Sequence, residues 1–531
     1  MAVPADQEVS FRLWPPSDST RALLVEKMAT NLASISFFSV KYGRIDKAEA
    51  AQQAKRIEEE AFVVAQQQEC ESDSATVQMY AKQASRLMLE ALKAAGKRVL
   101  RKVSLTFRIL IVPETFFDIS GGKRAFLNKT EAQEILKPLT EAGNAYSKIC
   151  LSNWSFGKDA GLVAQEILSG IKGNLLDVNL ADIVAGRPEV EALEVMAMFS
   201  ESLAGSKLKS LNLSDNALGE KGVRAFSALL KSQRSLQALY FMNNGISEEA
   251  ARAICELLPS GQDLRTLHFH NNMSGDAGAQ ALASLVEKAT LLEDFQFSST
   301  RVATEGGVAL CQALQAGKSL RRIDIRDNMF GPQVGIALSK TLTLHPDLVE
   351  VYLGDIGMED EGVTALAKAL TGCLPNLRVL DLGGNEIGPK SAPFLADCIK
   401  TKQALISLNL AENELKDKGA VIICGAIKEG HTSLKELDLS SNELTRVGAV
   451  AAAEAVANKS AFTKLNLDGN RISEAGIVAL KEALDNGSAG QKVLASLDDN
   501  GEEDDGEDED DEEEDEDDDD ADDLGMDRLK V

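Results

Sequence analysis

His268 and His270 stand two residues apart in LRTLHFHNN, and alternate residues of a strand share one face, so both imidazoles could reach one metal ion. A metal site needs further ligands, and the two other histidines, His345 and His431, are remote in the chain. The expectation is a polar strand face and no metal. Gly317-Lys318-Ser319 matches the end of a phosphate-binding loop, but the leading glycine would have to fall at Gln312. Gly317 is expected to end a helix instead. Seven scattered cysteines, an odd number with no Cys-x-x-Cys pair, fit neither a disulfide framework nor zinc. Without a nucleophile–base pair or a cofactor loop, the expectation is a binding surface, no cofactor, and no enzyme acting on small molecules.

The residues best placed for such a surface lie in LYFMNNGIS, where Asn243 and Asn244 are adjacent. Asparagine or a substitute recurs at Asn216, Asn244, Asn272, Thr300, Asn328, Ile356, Asn385, Asn413, Asn442 and Asn470, always 28 or 29 residues apart. Each follows a frame such as Leu208-x-x-Leu211-x-Leu213-x-x-Asn216 and precedes a helical pattern such as GVTALAKAL. A strand that returns through a helix to a parallel strand cannot bury its apolar face alone, so the units must stack. The fold class expected is an α/β leucine-rich-repeat horseshoe of ribonuclease-inhibitor type, with about twelve units from Tyr146 to Leu484. In that frame Asn244 turns inward and satisfies backbone groups of the turn. Asn243 should face outward on the rim at the strands' carboxyl ends, in a column with Asp215 and Asn271 and near Tyr240. The longer step from Ile183 to Asn216 places a loop, Ala185-Gly186-Arg187-Pro188-Glu189, on the same rim. Arg187 is expected there as a grip for an acidic group or a phosphate.

Upstream, the apolar sets Leu23, Leu24, Met28, Leu32, Ile35 and Val77, Tyr80, Ala84, Leu87, Met88 follow a 3.6-residue period. With a helix opening at Asp46 and running through Phe62, they predict a small all-α bundle within residues 1–117, and 118–145 is expected to be a connecting segment. Ser19 or Thr20 is the expected first cap. Trp14-Pro15-Pro16 precedes the bundle, either packed on it or free for a partner. The repeat domain is set at 146–497 and an acidic tail at 498–531. That tail carries 23 acidic residues against Arg528 and Lys530, a net of −21 that leaves only −6 of the chain's −27 to everything else. A run such as EDEDDEEEDEDDDD has nothing to bury and is expected to be disordered. No stretch approaches the roughly 18 apolar residues of a membrane helix, and no leader pattern opens the sequence, so a soluble protein of the reducing cytosol, with no transmembrane segment and no direct nucleic-acid binding, is expected.

Trp14-Pro15-Pro16 with SFFSVKYGRIDKAEAAQQAKRIEEEAF, the 28–29-residue repeats and the acidic tail together resemble the Ran GTPase-activating proteins of plants. The resemblance implies a GTPase activator that binds Ran in its GTP form and stimulates hydrolysis through Ran's own catalytic glutamine, without a catalytic pocket of its own. Through LYFMNNG it implies Asn243 as the residue that orients the glutamine, and through AGRPEVEAL it implies Arg187 as a binding residue. Beyond Gly-Arg that loop departs from the family, with Pro188 and Glu189 where other members can carry a lysine. Asp215, Asn271 and Tyr240 are expected to join the Ran-binding surface, and Ran-binding protein is a further partner. The resemblance also implies that Trp14, Pro15 and Pro16 target the nuclear envelope by docking coiled-coil envelope proteins, with the cell plate and spindle-associated structures occupied at division. The rival expectation is a non-catalytic repeat protein, an inhibitor or binder with a histone-binding acidic tail.

Overall fold

The computed structural model describes residues 14–33, 47–67, 76–88, 90–91, 115–121 and 124–501. It divides into two compact units, Met1–Val112 and Pro113–Val531. Ile35 and the acidic run beyond Gly501 lie outside the described residues.

In the first unit, helices Asp18–Ala33, Lys47–Gln67 and 76–88 close on Met28, Leu32, Ile57, Ala61, Tyr80, Ala84 and Leu87. The first helix begins before the expected cap, with Ser17 Oγ accepting from Thr20 N at 3.2 Å. Leu23 and Val77, expected in the core, are exposed. The buried stripes run through Leu24, Met28 and Leu32 and through Thr76, Tyr80, Ala84 and Leu87, and one residue of offset turns a side chain about 100° away. The bundle also buries a charge that periodicity does not reveal. Glu58 accepts from Arg21 Nε and Nη2 at 2.7 Å each and from the Tyr80 hydroxyl at 3.3 Å. Burial first, and then the Glu58 charge, pushes the Tyr80 pKa up to about 12. Such a group must keep its partners or strand a charge in the core, so it fixes which faces meet.

In the second unit, thirteen three-residue strands form one parallel sheet in chain order, from Phe116–Asp118 to Lys464–Asn466. The register is unbroken: Leu211 pairs with Leu239, Leu239 with Leu267, and Leu267 with Phe295. These central residues are buried on the helix side, and Phe241, Phe269 and Phe297 continue the core as a row of contacting rings. Tight helix spacing appears at Gly335, where a β-carbon would lie 2.7 Å from the Gly362 Cα.

The boundaries differ from the expected ones at both ends. Phe116–Asp118 pairs with Lys148–Cys150 as the sheet's first strand, and 118–145 is built structure containing strand Ala125–Leu127 and helix Lys129–Ile135. Ala125–Leu127 pairs with Trp154–Phe156 in a second, two-stranded sheet. At the far end, Asn500 Oδ1 accepts from Asn470 N at 3.1 Å, and Gly501 N donates to Asn470 O at 2.9 Å. Residues 498–501 therefore cap the array. Neither end carries the leucine frame, and for that reason the repeat period does not reach them.

Candidate functional site at the carboxyl rim of the strands

The buried asparagines tie one repeat to the next. Asn244 Oδ1 accepts from Asn216 N at 2.8 Å, its Nδ2 donates to Leu213 O at 3.0 Å, and its own N–H is taken by Asn272 Oδ1 at 3.1 Å. The residue just before each asparagine then has a left-handed backbone: φ is 61° at Asp215, 52° at Asn243 and 57° at Asn271. Asn, Asp and Gly adopt this conformation most readily, which accounts for the polar column there.

Three of the expected site residues form one exposed row. Asn243 Nδ2 donates to Asp215 Oδ1 at 2.9 Å, and Asn271 Nδ2 donates to Asn243 Oδ1 at 3.0 Å. The carboxylate can only accept, so it fixes which way the Asn243 amide faces. One Nδ2 hydrogen and one Oδ1 lone pair remain for a partner. An amide so held can orient another amide or a water by donating and accepting at once.

Asn243, Asp215 and Arg187 line a common cleft of about 800 Å³, together with Arg124, Asp182 and Lys221. Arg187 does not project from it as expected. Its side chain is only 16% exposed, with Nε donating to Ser155 Oγ at 3.0 Å, Nη2 to Ser155 O at 2.7 Å, and Glu191 Oε1 at 3.7 Å. Its guanidinium also lies 4.7 Å from the Phe126 ring centre. The loop turns back at Gly186, where φ is 75°, and lays the arginine over the two-stranded sheet. The exposed guanidinium of this cleft belongs to Arg124, which sequence reasoning missed. Its side chain is 59% exposed, and Nε and Nη2 each stand 2.7 Å from Oδ2 of Asp182, whose own side chain is buried. Only Arg124's place in GGKRAF ahead of a short strand could have signalled it, which is no signal without the fold.

Tyr240 stands apart from the cleft, on the open strand face, with its ring edge-on to His268 at 4.9 Å. Burial first, then Asp294 and Asp177, raises its pKa. His268 Nε2 meets Asp294 Oδ2 at 2.8 Å, and burial, then the neighbouring His268, lowers the His270 pKa. Among the described residues no group of three His, Cys, Asp or Glu could hold a metal ion. Gly317 N donates to Leu314 O at 3.2 Å just past helix Thr304–Leu314, so it does end a helix.

Models of the WPP domain and of the leucine-rich repeat match this chain, the first at residues 10–101, the second at 206–227, 373–396, 402–424 and 430–451. The RAN GTPase-activating protein 2 of Arabidopsis thaliana is 60% identical over 463 residues, which is 85% of this chain and 84% of that protein. The chain belongs to the Ran GTPase-activating protein family. A second Arabidopsis member, RAN GTPase-activating protein 1, is 50% identical over 236 residues, 44% of this chain and 43% of that protein. The family's WPP domain has relatives outside it: MFP1 attachment factor 1 of Solanum lycopersicum is 33% identical over 87 residues, 16% of this chain and 57% of that protein. In this member of the family the chemistry-bearing side chains of the rim are amides, carboxylates and cations, and no helix among the described residues is long and apolar enough to cross a membrane.

Proposed function

We propose that this protein stimulates GTP hydrolysis by the small GTPase Ran, binding the GTP form over the rim at Asn243 and adding no catalytic pocket of its own. The near full-length similarity to a protein named for that activity carries the reading. The amide row supports it on chemical grounds. A GTPase already holds its phosphate loop, magnesium and glutamine, so an activator need only fix geometry, and activation in a related GTPase system reaches about 10⁵-fold. Asn243, oriented by Asp215 and Asn271, is the group set to orient Ran's glutamine. Arg124 and Arg187 flank it, Arg124 as the exposed cation and Arg187 as a support of the cleft wall. Ran-binding protein is a further partner.

The WPP domain anchors the protein at the cytoplasmic face of the nuclear envelope by docking coiled-coil envelope proteins, with cell-plate and spindle-associated populations at division and the remainder in the cytoplasm. The match over residues 10–101 supports this. Single-turnover hydrolysis of Ran-bound GTP tests the activity: the protein should accelerate phosphate release, and Asn243→Ala should lower the saturating rate by about 10²-fold or more. Binding without acceleration would leave an inhibitor or simple binder and overturn the proposal.

A further inference from the structure

The rim continues past Asn271 into a shallow pocket of about 520 Å³, lined by Asn243, Asn271, Met273, Arg301, Asp327 and Met329. Met329 is 65% exposed and Met273 47%. The repeats serve as internal controls for this position. Outside these repeats and that of Arg301, the residue after the buried asparagine or its substitute is Ala217, Gly245, Gly357, Glu386, Glu414, Glu443 or Arg471, so the turn has no need of methionine. An exposed thioether chain there keeps apolar surface in water.

Arg301 sits between the two methionines in the same column. Its backbone is left-handed, with φ at 58°, a conformation shared in this column by Gly245 and Gly357 and also by Ala217, Glu386 and Glu443. Glycine carries no steric penalty there and arginine does. Its guanidinium makes no hydrogen bond, ion pair or ring contact among the described residues. Met273, Arg301 and Met329 thus fill three successive repeats with two methionines the column carries nowhere else and an arginine that, unlike Arg471 with its Glu443 partner at 3.0 Å, is unpaired among the described residues. Adjacent strands are about 4.8 Å apart, which places the methionines roughly 10 Å from each other with the cation between.

We propose that this pocket is a second subsite for the same GTPase, taking an apolar side chain of the partner between the two thioethers and a neighbouring carboxylate on Arg301. The inference rests on the reading of Asn243 above. Continuity identifies the occupant: Asn243 and Asn271 belong to the walls of this pocket, so a protein seated over Asn243 covers its mouth. Methionine suits a contact that must adapt to a partner's shape. The unpaired cation selects an acidic group.

The test measures single-turnover hydrolysis of Ran-bound GTP against activator concentration for the full chain, Met273→Ala with Met329→Ala, and Arg301→Gly. The glycine variant relieves the backbone and so cannot fail by misfolding at that residue. Both variants should raise the half-saturating concentration about tenfold and leave the saturating rate unchanged, and Arg301→Gly should also flatten the salt dependence. If the full chain accelerates hydrolysis and Asn243→Ala does not, while both pocket variants saturate at the wild-type concentration, the subsite is wrong and the reading of Asn243 stands. If the full chain gives no acceleration, that reading fails first. A fall in saturating rate at unchanged half-saturation also overturns the subsite, because the pocket would then act on the chemistry.

Discussion

At the scale of single residues, Asn243 has two jobs that substitutions separate. Its amide belongs to the row with Asp215 and Asn271, and its backbone is left-handed. Asn243→Ala removes the amide and also leaves a β-branchless but still chiral residue at positive φ, at a cost of about 1 kcal/mol. Gly384 and Gly469 occupy the same column with φ near 65°, so glycine fits the turn. Asn243→Gly should therefore keep the wild-type melting temperature and lose stimulated hydrolysis, a split that calorimetry and phosphate release would detect; retained stimulation would remove Asn243 from the mechanism. Arg187 should behave in the opposite way. Its guanidinium bonds Ser155 twice inside the wall of the cleft, and charge-assisted bonds of this kind contribute about 1.5–3 kcal/mol. Arg187→Ala should lower stability by about that amount in denaturant titration, with a loss of activity that follows the loss of fold near the rim.

At the scale of elements, three helices of the array are capped by an aspartate of the preceding repeat. Asp417 Oδ1 accepts from Thr445 N at 2.9 Å and Gly448 N at 2.7 Å, and Oδ2 accepts from the Thr445 hydroxyl at 2.5 Å, all at the start of helix Arg446–Val456. Asp276 and Asp360 do the same for the helices after them. A carboxylate at a helix N-terminus satisfies free N–H groups and opposes the dipole, so Asp417→Ala should cost about 1–2 kcal/mol and speed amide exchange in Arg446–Val456; unchanged exchange there would refute the capping role. In the bundle, Trp14 stacks on Phe62 at 5.2 Å while Pro15 is exposed. Trp14→Ala should thus lower bundle stability by about 2 kcal/mol as well as release a fluorescent fusion from the nuclear rim, whereas Pro15→Ala should release it with the fold intact. Rim localisation surviving Pro15→Ala would exclude Pro15 from docking. The parts of this architecture visible in the sequence are those with a period: the strands, the buried asparagines and the rim column that holds Asn243. Arg187's inward turn, Arg124, and the Glu58 core were not visible, because their partners come from distant segments such as Trp154–Phe156, too short to show any alternation.

At the scale of the whole molecule, an array in which each repeat touches only its neighbours is as stable as its exposed ends allow. The last regular strand, Lys464–Asn466, would offer an open parallel edge, which invites fraying and association. Residues 489–501 cover that end: Ala489 N donates to Ala457 O at 2.8 Å, Ala495 N to Leu465 O at 2.9 Å, and Asn500 completes the asparagine ladder. Val493 is buried beneath them. Deleting 502–531 takes away charge and none of these bonds, so the melting temperature of the repeat unit should not change. Deleting 487–531 removes the cover as well, and burial of a valine with its neighbours is worth about 3 kcal/mol. Exchange should then quicken first in helix Glu474–Asp485 and fade toward the rim at Asn243, while stimulated hydrolysis persists at temperatures where the central repeats remain folded. Equal melting of the two truncated proteins would mean that 487–501 is not a cap.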